Sequence, residues 1–415
     1  MDKQTKQYLL QGFLFVLTLI CTTLSGAEWR YGGSFVFSDY PMGWQEFFGG
    51  LAFSLPFLGI LTVHEFGHYF TARYYKIKVT LPYYIPAWFG LLGAPSIGTF
   101  GAVIRLKQQV NSLKQTFDIG IAGPLAGFVA AILVVVYAFS TLPPAESIYR
   151  IHPEYEPFGL DYANIVYEKD TFLLRSTLAQ YNAEAAAKYE SDTILIGPSY
   201  QTSLLLGSNL VFDFAKAFIV PQKDKDRIPN DHEMIHYPFI LAGFLALLFT
   251  AINLLPIGQL DGGHVVYGLL GEKKSRVVST VMYIGLIIYS GLGVGLLGIY
   301  NPFDFTQPPS DLIMGLALYG LFIYYLLGKM QLSMMNRLMY TVGIIAIQEL
   351  LVVLYPGITG YSGWLLFAFV IGRYLGVYHP PVQVEEPLSD GRKILGWIAL
   401  IVFIISFSPK PLEIY

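Results

Sequence analysis

Long apolar runs recur along this chain, and polar, proline- or glycine-rich stretches separate them. The runs predict helices at about 8–25, 48–72, 117–140, 238–256, 278–298, 312–328, 338–355, 361–378 and 394–408. Among the short connections, Lys and Arg concentrate in every second one. One set holds Lys3 and Lys6, Arg73 to Lys114, Lys273 to Arg276, Lys329 and Arg337, and Arg392 and Lys393. The opposite short loops, around 26–47, 299–311 and 356–360, contain only Arg30. Basic residues stay on the cytosolic side, so the pattern predicts nine spans with the first set of loops inside.

Two stretches break this rhythm. Residues 141–237 are mixed in charge and too polar to span, which predicts a small folded insert on the outer side. Residues 81–108 are rich in Pro and Gly, then become β-like at 98–106, which predicts a membrane-associated β hairpin on the cytosolic side. The expected fold class is therefore an all-α polytopic membrane protein of about nine helices with that hairpin and outer insert. Its parts are an anchor helix and outer loop (1–44), a core (45–140), the insert (141–237), a further core helix (238–277) and additional helices (278–415).

Composition agrees. Only 13% of the 415 residues are charged and 54% are apolar, with mean hydropathy +0.51, whereas a soluble domain carries about 25% charged residues. The net charge of −3 and the lack of a basic run with interleaved aromatics give nucleic acid no foothold. The single cysteine, Cys21, forms no internal disulfide and reads as a small buried hydrophobe. Lys3, Lys6 and the apolar run behind them read as a retained anchor, with a signal peptide ending near Ser25 and Ala27 as the alternative.

Chemistry enters inside the second run. His64-Glu65-Phe66-Gly67-His68 sets two imidazoles at i and i+4 on one helix face, where they can share a metal ion. Glu65 is turned away yet remains within reach of a water at that ion. The pentapeptide pattern HExxH is weak alone, because the chain has a second copy, His232-Glu233-Met234-Ile235-His236. Pro238 pushes that copy out of helical geometry, so it reads as polar residues at a water interface.

A catalytic zinc needs three protein ligands and an open position. The best third ligand is Asp261, in Asn253-Leu-Leu-Pro-Ile-Gly-Gln-Leu-Asp261-Gly262-Gly263-His264. Pro256 and Gly258 should interrupt the fourth helix, with Gly262 and Gly263 letting the backbone turn sharply. His264 then reads as a partner of Asp261 or as a solvated interface residue. Gly120, Gly123 and Gly127 read as close helix packing. Glu349 and Arg373, in adjacent late runs, read as a structural ion pair.

At these residues the chain resembles the site-2 proteases, which are intramembrane zinc metalloproteases. The resemblance rests on the HExxH helix, Asn-x-x-Pro-x-x-x-Leu-Asp-Gly at 253–262, Gly123-Pro-Leu-Ala-Gly127 and the 98–106 stretch. It covers roughly residues 45–275 and looks closest to the cyanobacterial and plastid branch. It implies one zinc ion per chain held by His64, His68 and Asp261, Glu65 as general base, and Asn253 as a residue that orients substrate or polarises its carbonyl. The implied partners are the lipid bilayer and a membrane-anchored protein substrate, cut in regulated intramembrane proteolysis. The implied location is a multi-pass protein of the bacterial plasma membrane, or of a plastid membrane. A zinc or divalent-metal permease and an inactive scaffold homologue are the competing functions. The 98–106 strand either captures substrate by β-augmentation or only seals the site.

Overall fold

The computed structural model describes residues 2–37, 42–167, 204–292 and 309–414. Its elements in chain order are α1 (Lys3–Tyr31), α2 (Leu51–Tyr74), β1 (Tyr83–Ala87), β2 (Gly98–Val103), α3 (Leu113–Ser140), β3 (Leu204–Leu206), α4 (Pro238–Asn253) and α5 (Asp261–Gly291). Then follow α6 (Pro309–Leu326), α7 (Met334–Leu354), α8 (Gly363–Val370), α9 (Asp390–Ser406) and β4 (Leu412–Ile414). A helix stands at each apolar run. Among the described residues, four helical stretches are long and apolar enough to cross a membrane: Lys3–Tyr31, Trp44–Tyr74, Leu113–Ser140 and Met334–Leu354. The stretches 238–253, 313–329 and 363–375 are apolar but shorter.

The fifth helix departs from expectation. It starts at Asp261, well before residue 278, and bends at Gly271, whose φ of 73° no regular helix contains. Residues 293–308, where the fifth run and the following outer loop were expected to meet, lie outside the described residues, as do 168–203 of the insert.

Helices α2, α3 and α4 form the centre. Every residue from Ile240 to Leu248 is buried, because α4 is apolar on all sides and can be satisfied only by surrounding helices. Phe53 and Phe57 of α2 stack at 5.2 Å, and Phe57 meets Phe249 of α4 at 5.8 Å. The outer faces are also apolar, with Phe13 of α1, Leu133 of α3 and Val353 of α7 more than 60% exposed. A polar exterior is absent where a protein in water would need one.

The helix ends gather in two groups. At one end Arg392, opening α9, grips Asp118 of α3 through two nitrogens at 2.8 Å each, and Tyr75, just past α2, donates to the same carboxylate. At the other end Arg30 of α1 donates to Gly49 O ahead of α2 at 2.9 Å. Trp364 of α8 donates to Pro409 O beyond α9 at 2.7 Å. There β4 returns to pair antiparallel with β3, a contact without any sequence signal. Arg373, expected to pair with Glu349, lays its guanidinium over the Tyr325 ring at 4.6 Å.

The predicted hairpin is present. Strands β1 and β2 pair antiparallel from Tyr83↔Val103 to Ala87↔Gly98, with an irregularity between Tyr84 and Pro86. Proline has no N–H to donate there. Gln11 Nε2 donates to Leu81 O at 2.6 Å, and the Tyr84 and Thr62 hydroxyls bond at 2.7 Å, so the hairpin leans on α1 and α2.

Candidate metal centre

Residues 64 and 68, one helical turn apart on α2, point their imidazoles inward. His64 Nε2 and His68 Nε2 are 3.1 Å apart, and Asp261 Oδ2 lies 3.6 Å from the first and 3.3 Å from the second. A tetrahedral zinc with ligands at about 2.0–2.1 Å has donor–donor edges of about 3.3 Å. These three atoms already sit at that spacing, and two imidazoles with one carboxylate form a zinc donor set with room for a fourth ligand. The residues present therefore fit the ion. His68 Nδ1 donates to the Ile119 carbonyl at 2.6 Å, which leaves a lone pair on Nε2 facing the centre.

Local sequence explains how Asp261 arrives. Helix α4 stops at Asn253, the chain crosses a non-helical segment that includes Gly258 at φ 59°, and Asp261 opens α5. The turn falls at Gly258 rather than at 262–263, which are helical. Gly262 serves close approach instead, since a Cβ there would lie 2.0 Å from Leu254 O.

The α3 glycines have a more specific role than general packing. A Cβ on Gly123 would lie 2.1 Å from His68 Nε2, and one on Gly127 would lie 3.1 Å from His64 Cβ and Nδ1. They form the floor against which the two imidazoles rest. Pro124 beside them removes a ladder bond at the Gly120 carbonyl, loosening α3 next to the Ile119 carbonyl that His68 uses.

Glu65 is 6% exposed and faces the Ile104 backbone just past β2, so the hairpin reaches the centre. Asn253 is half-buried at the end of α4. His264 finds a partner that the sequence did not suggest. Its Nδ1 donates to His379 Nε2 at 2.7 Å, while His379 Nδ1 donates to Pro380 O at 2.5 Å and its ring stacks on Tyr267 at 4.2 Å. Sequence reading missed His379, whose position after the eighth run gave no spacing relation to the motifs.

Residues 52–292 match Peptidase family M50. The chain belongs to that family. It is similar to the Arabidopsis thaliana protein named probable zinc metalloprotease EGY1, chloroplastic, at 29% identity over 58% of this chain and 32% of the relative. It is also similar to the Oryza sativa subsp. indica protein named probable zinc metalloprotease EGY2, chloroplastic, at 26% identity over 61% of this chain and 34% of the relative. The chain thus spans about a third of the length of these relatives. No solved structure matches. These similarities agree with the expected plastid and cyanobacterial branch.

The matched M50 stretch contains both HExxH pentapeptides, so geometry must choose between them. The second is not a helical pair: residues 234–236 form a 3₁₀ turn, and His232 stacks on Tyr167 at 4.0 Å. The expectation of interface residues fails for the rest of it. Glu233 is 1% exposed, His236 is 9% exposed, and both meet His152 from the insert. Burial, with His152 adjacent, holds the His236 imidazole down to about 4, so it is neutral.

Proposed function

We propose that this chain is a zinc-dependent metalloendopeptidase that hydrolyses peptide bonds within or near transmembrane segments of membrane-anchored proteins. The carrying observation is the convergence of buried His64 and His68 with partly buried Asp261, Glu65 beside them, inside a bundle whose exterior is apolar. His64, His68 and Asp261 are the zinc ligands in this reading. The ion, when bound, polarises a peptide carbonyl and acidifies water. Glu65 takes a proton from the attacking water and returns it to the leaving amine. Asn253, at the end of α4, is the second donor that orients the carbonyl in this reading.

A helical substrate must unwind before its scissile bond is accessible. The edge of β2 away from β1 has no partner strand among the described residues, and Phe100 and Val103 of β2 are exposed. An unwound segment can add to this edge by β-augmentation and run past Ile104 to Glu65. This favours substrate capture over a sealing role for the hairpin.

The same reading takes all nine helices as spans. The two groups of helix ends support it: α2 ends where α3 and α9 begin, α1 ends where α2 begins, and α9 ends where α8 begins. The Lys- and Arg-rich end is then cytosolic, and cleavage near it releases a cytosolic fragment. The chloroplastic relatives support a plastid membrane, and the bacterial plasma membrane expected from the sequence has no such support.

The test is cleavage of a generic transmembrane reporter by the purified full chain and by Glu65→Gln. Cleavage by the variant should fall about 10²–10⁴-fold with zinc content unchanged. Cleavage at the wild-type rate would overturn the proposed function of Glu65.

A further inference from the structure

We propose a second zinc site at the opposite end of the bundle, formed by His152, Glu233 and His236. It stands independently of the protease reading. His152 Nε2 and His236 Nε2 are 3.4 Å apart, and Glu233 Oε2 lies 3.7 Å from each. All three separations exceed the 2.7–3.2 Å of a good hydrogen bond involving nitrogen. The 3.4 Å separation matches the edge of about 3.3 Å that a tetrahedral zinc imposes, and a contraction of about 0.4 Å brings the two 3.7 Å separations to it.

The surrounding groups hold the donors as a metal site requires. His236 Nδ1 donates to the Trp29 carbonyl at the end of α1 at 2.7 Å, which turns a lone pair on Nε2 toward the cluster. Tyr167 donates to the other oxygen of Glu233. The His152 ring stacks on Tyr155 at 4.5 Å and 14°. Two imidazoles and a carboxylate suit zinc among the first-row divalent cations.

This site differs in purpose from the first. The glutamate of the second HExxH is itself a donor, so it cannot also serve as the base beside the ion. The ion instead ties the start of the insert to the segment leading into α4 and to the end of α1. It closes the chain between residues 152 and 233, which stabilises by removing loop entropy from the unfolded state. Helix α4 and the segment after it offer no stepping ligand between the two sites. From Pro238 to Leu260 no side chain is ionisable, and the 16 residues of α4 alone span about 24 Å.

Zinc content decides the matter, measured on the purified full chain after dialysis against metal-free buffer. Wild type should hold about two ions, Asp261→Ala about one, and Asp261→Ala combined with His152→Ala about none. Zinc added to Asp261→Ala should raise its Tm, and His152→Ala should abolish that rise. Asp261→Ala without zinc overturns the site and needs no variant of the outer cluster. An ion surviving in the double variant overturns it as well, because the metal would then lie elsewhere. Loss of zinc in His152→Ala but not in Asp261→Ala would instead count against the inner ligand set alone.

Discussion

A methyl group on Gly123 should empty the inner centre. The Cβ of Gly123→Ala would lie 2.1 Å from His68 Nε2, about 1.4 Å short of an ordinary contact of about 3.5 Å. Either α3 withdraws by that distance or the imidazole leaves its rotamer. Overpacking of this kind costs about 1–3 kcal/mol, which a folded bundle can survive. The ligand cannot tolerate it, because metal–ligand distances hold to about 0.2 Å. Gly127→Ala is the graded comparison: its Cβ meets His64 at 3.1 Å, so a shift of a few tenths of an ångström relieves it. Gly59→Ala on α2 is the control, with nothing within 4 Å. In the purified full chain, Gly123→Ala should lose the inner zinc and about 10²-fold or more of reporter cleavage. Gly127→Ala should lose about tenfold or less, and Gly59→Ala nothing. Helical circular dichroism and elution volume separate an emptied site from an unfolded chain. A folded Gly123→Ala that keeps its zinc and cleaves like wild type would refute the packing argument.

Three further outcomes follow from the geometry. Chelation should stop reporter cleavage and added zinc restore it in wild type but not in Asp261→Ala; restoration in the variant would remove Asp261 from the ligand set. Asn253→Ala should lower kcat about 10²-fold with little change in KM, as expected for a donor engaged mainly in the transition state, and an unchanged kcat would exclude that role. Arg392→Ala breaks the two-pronged contact with Asp118 at 2.8 Å, and since both side chains are partly exposed the cost should be about 1 kcal/mol. Thermal melts should show a Tm lowered by a few degrees, and an unmoved Tm would mean the three helix ends are held by packing alone.

The sequence by itself determined the parts that depend on neighbouring residues. An apolar run declares a helix, so the positions of α1 to α4 and of the later helices could be read directly. The i, i+4 spacing declares a shared face, so His64 and His68 pair from sequence alone. Pro238 ruled out a helical pair in the second HExxH, and the Pro- and Gly-rich 81–108 stretch marked the hairpin. Asp261 was reachable because a broken apolar helix leaves few ionisable residues to choose from.

Tertiary structure decided what distant segments do to one another. The α3 glycines suggested close packing, but only the fold shows that Gly123 packs on the His68 imidazole and Gly127 on His64. His379 meets His264 across more than a hundred residues, and β4 finds β3 across two hundred, without a periodicity to announce either. Glu233 and His236 looked like surface residues because their partner, His152, comes from a separate part of the insert. Local pattern records which face a residue shows and not which residues face it. That second fact depends on how the helices pack, and here it distinguishes a coincidental motif from a second metal site.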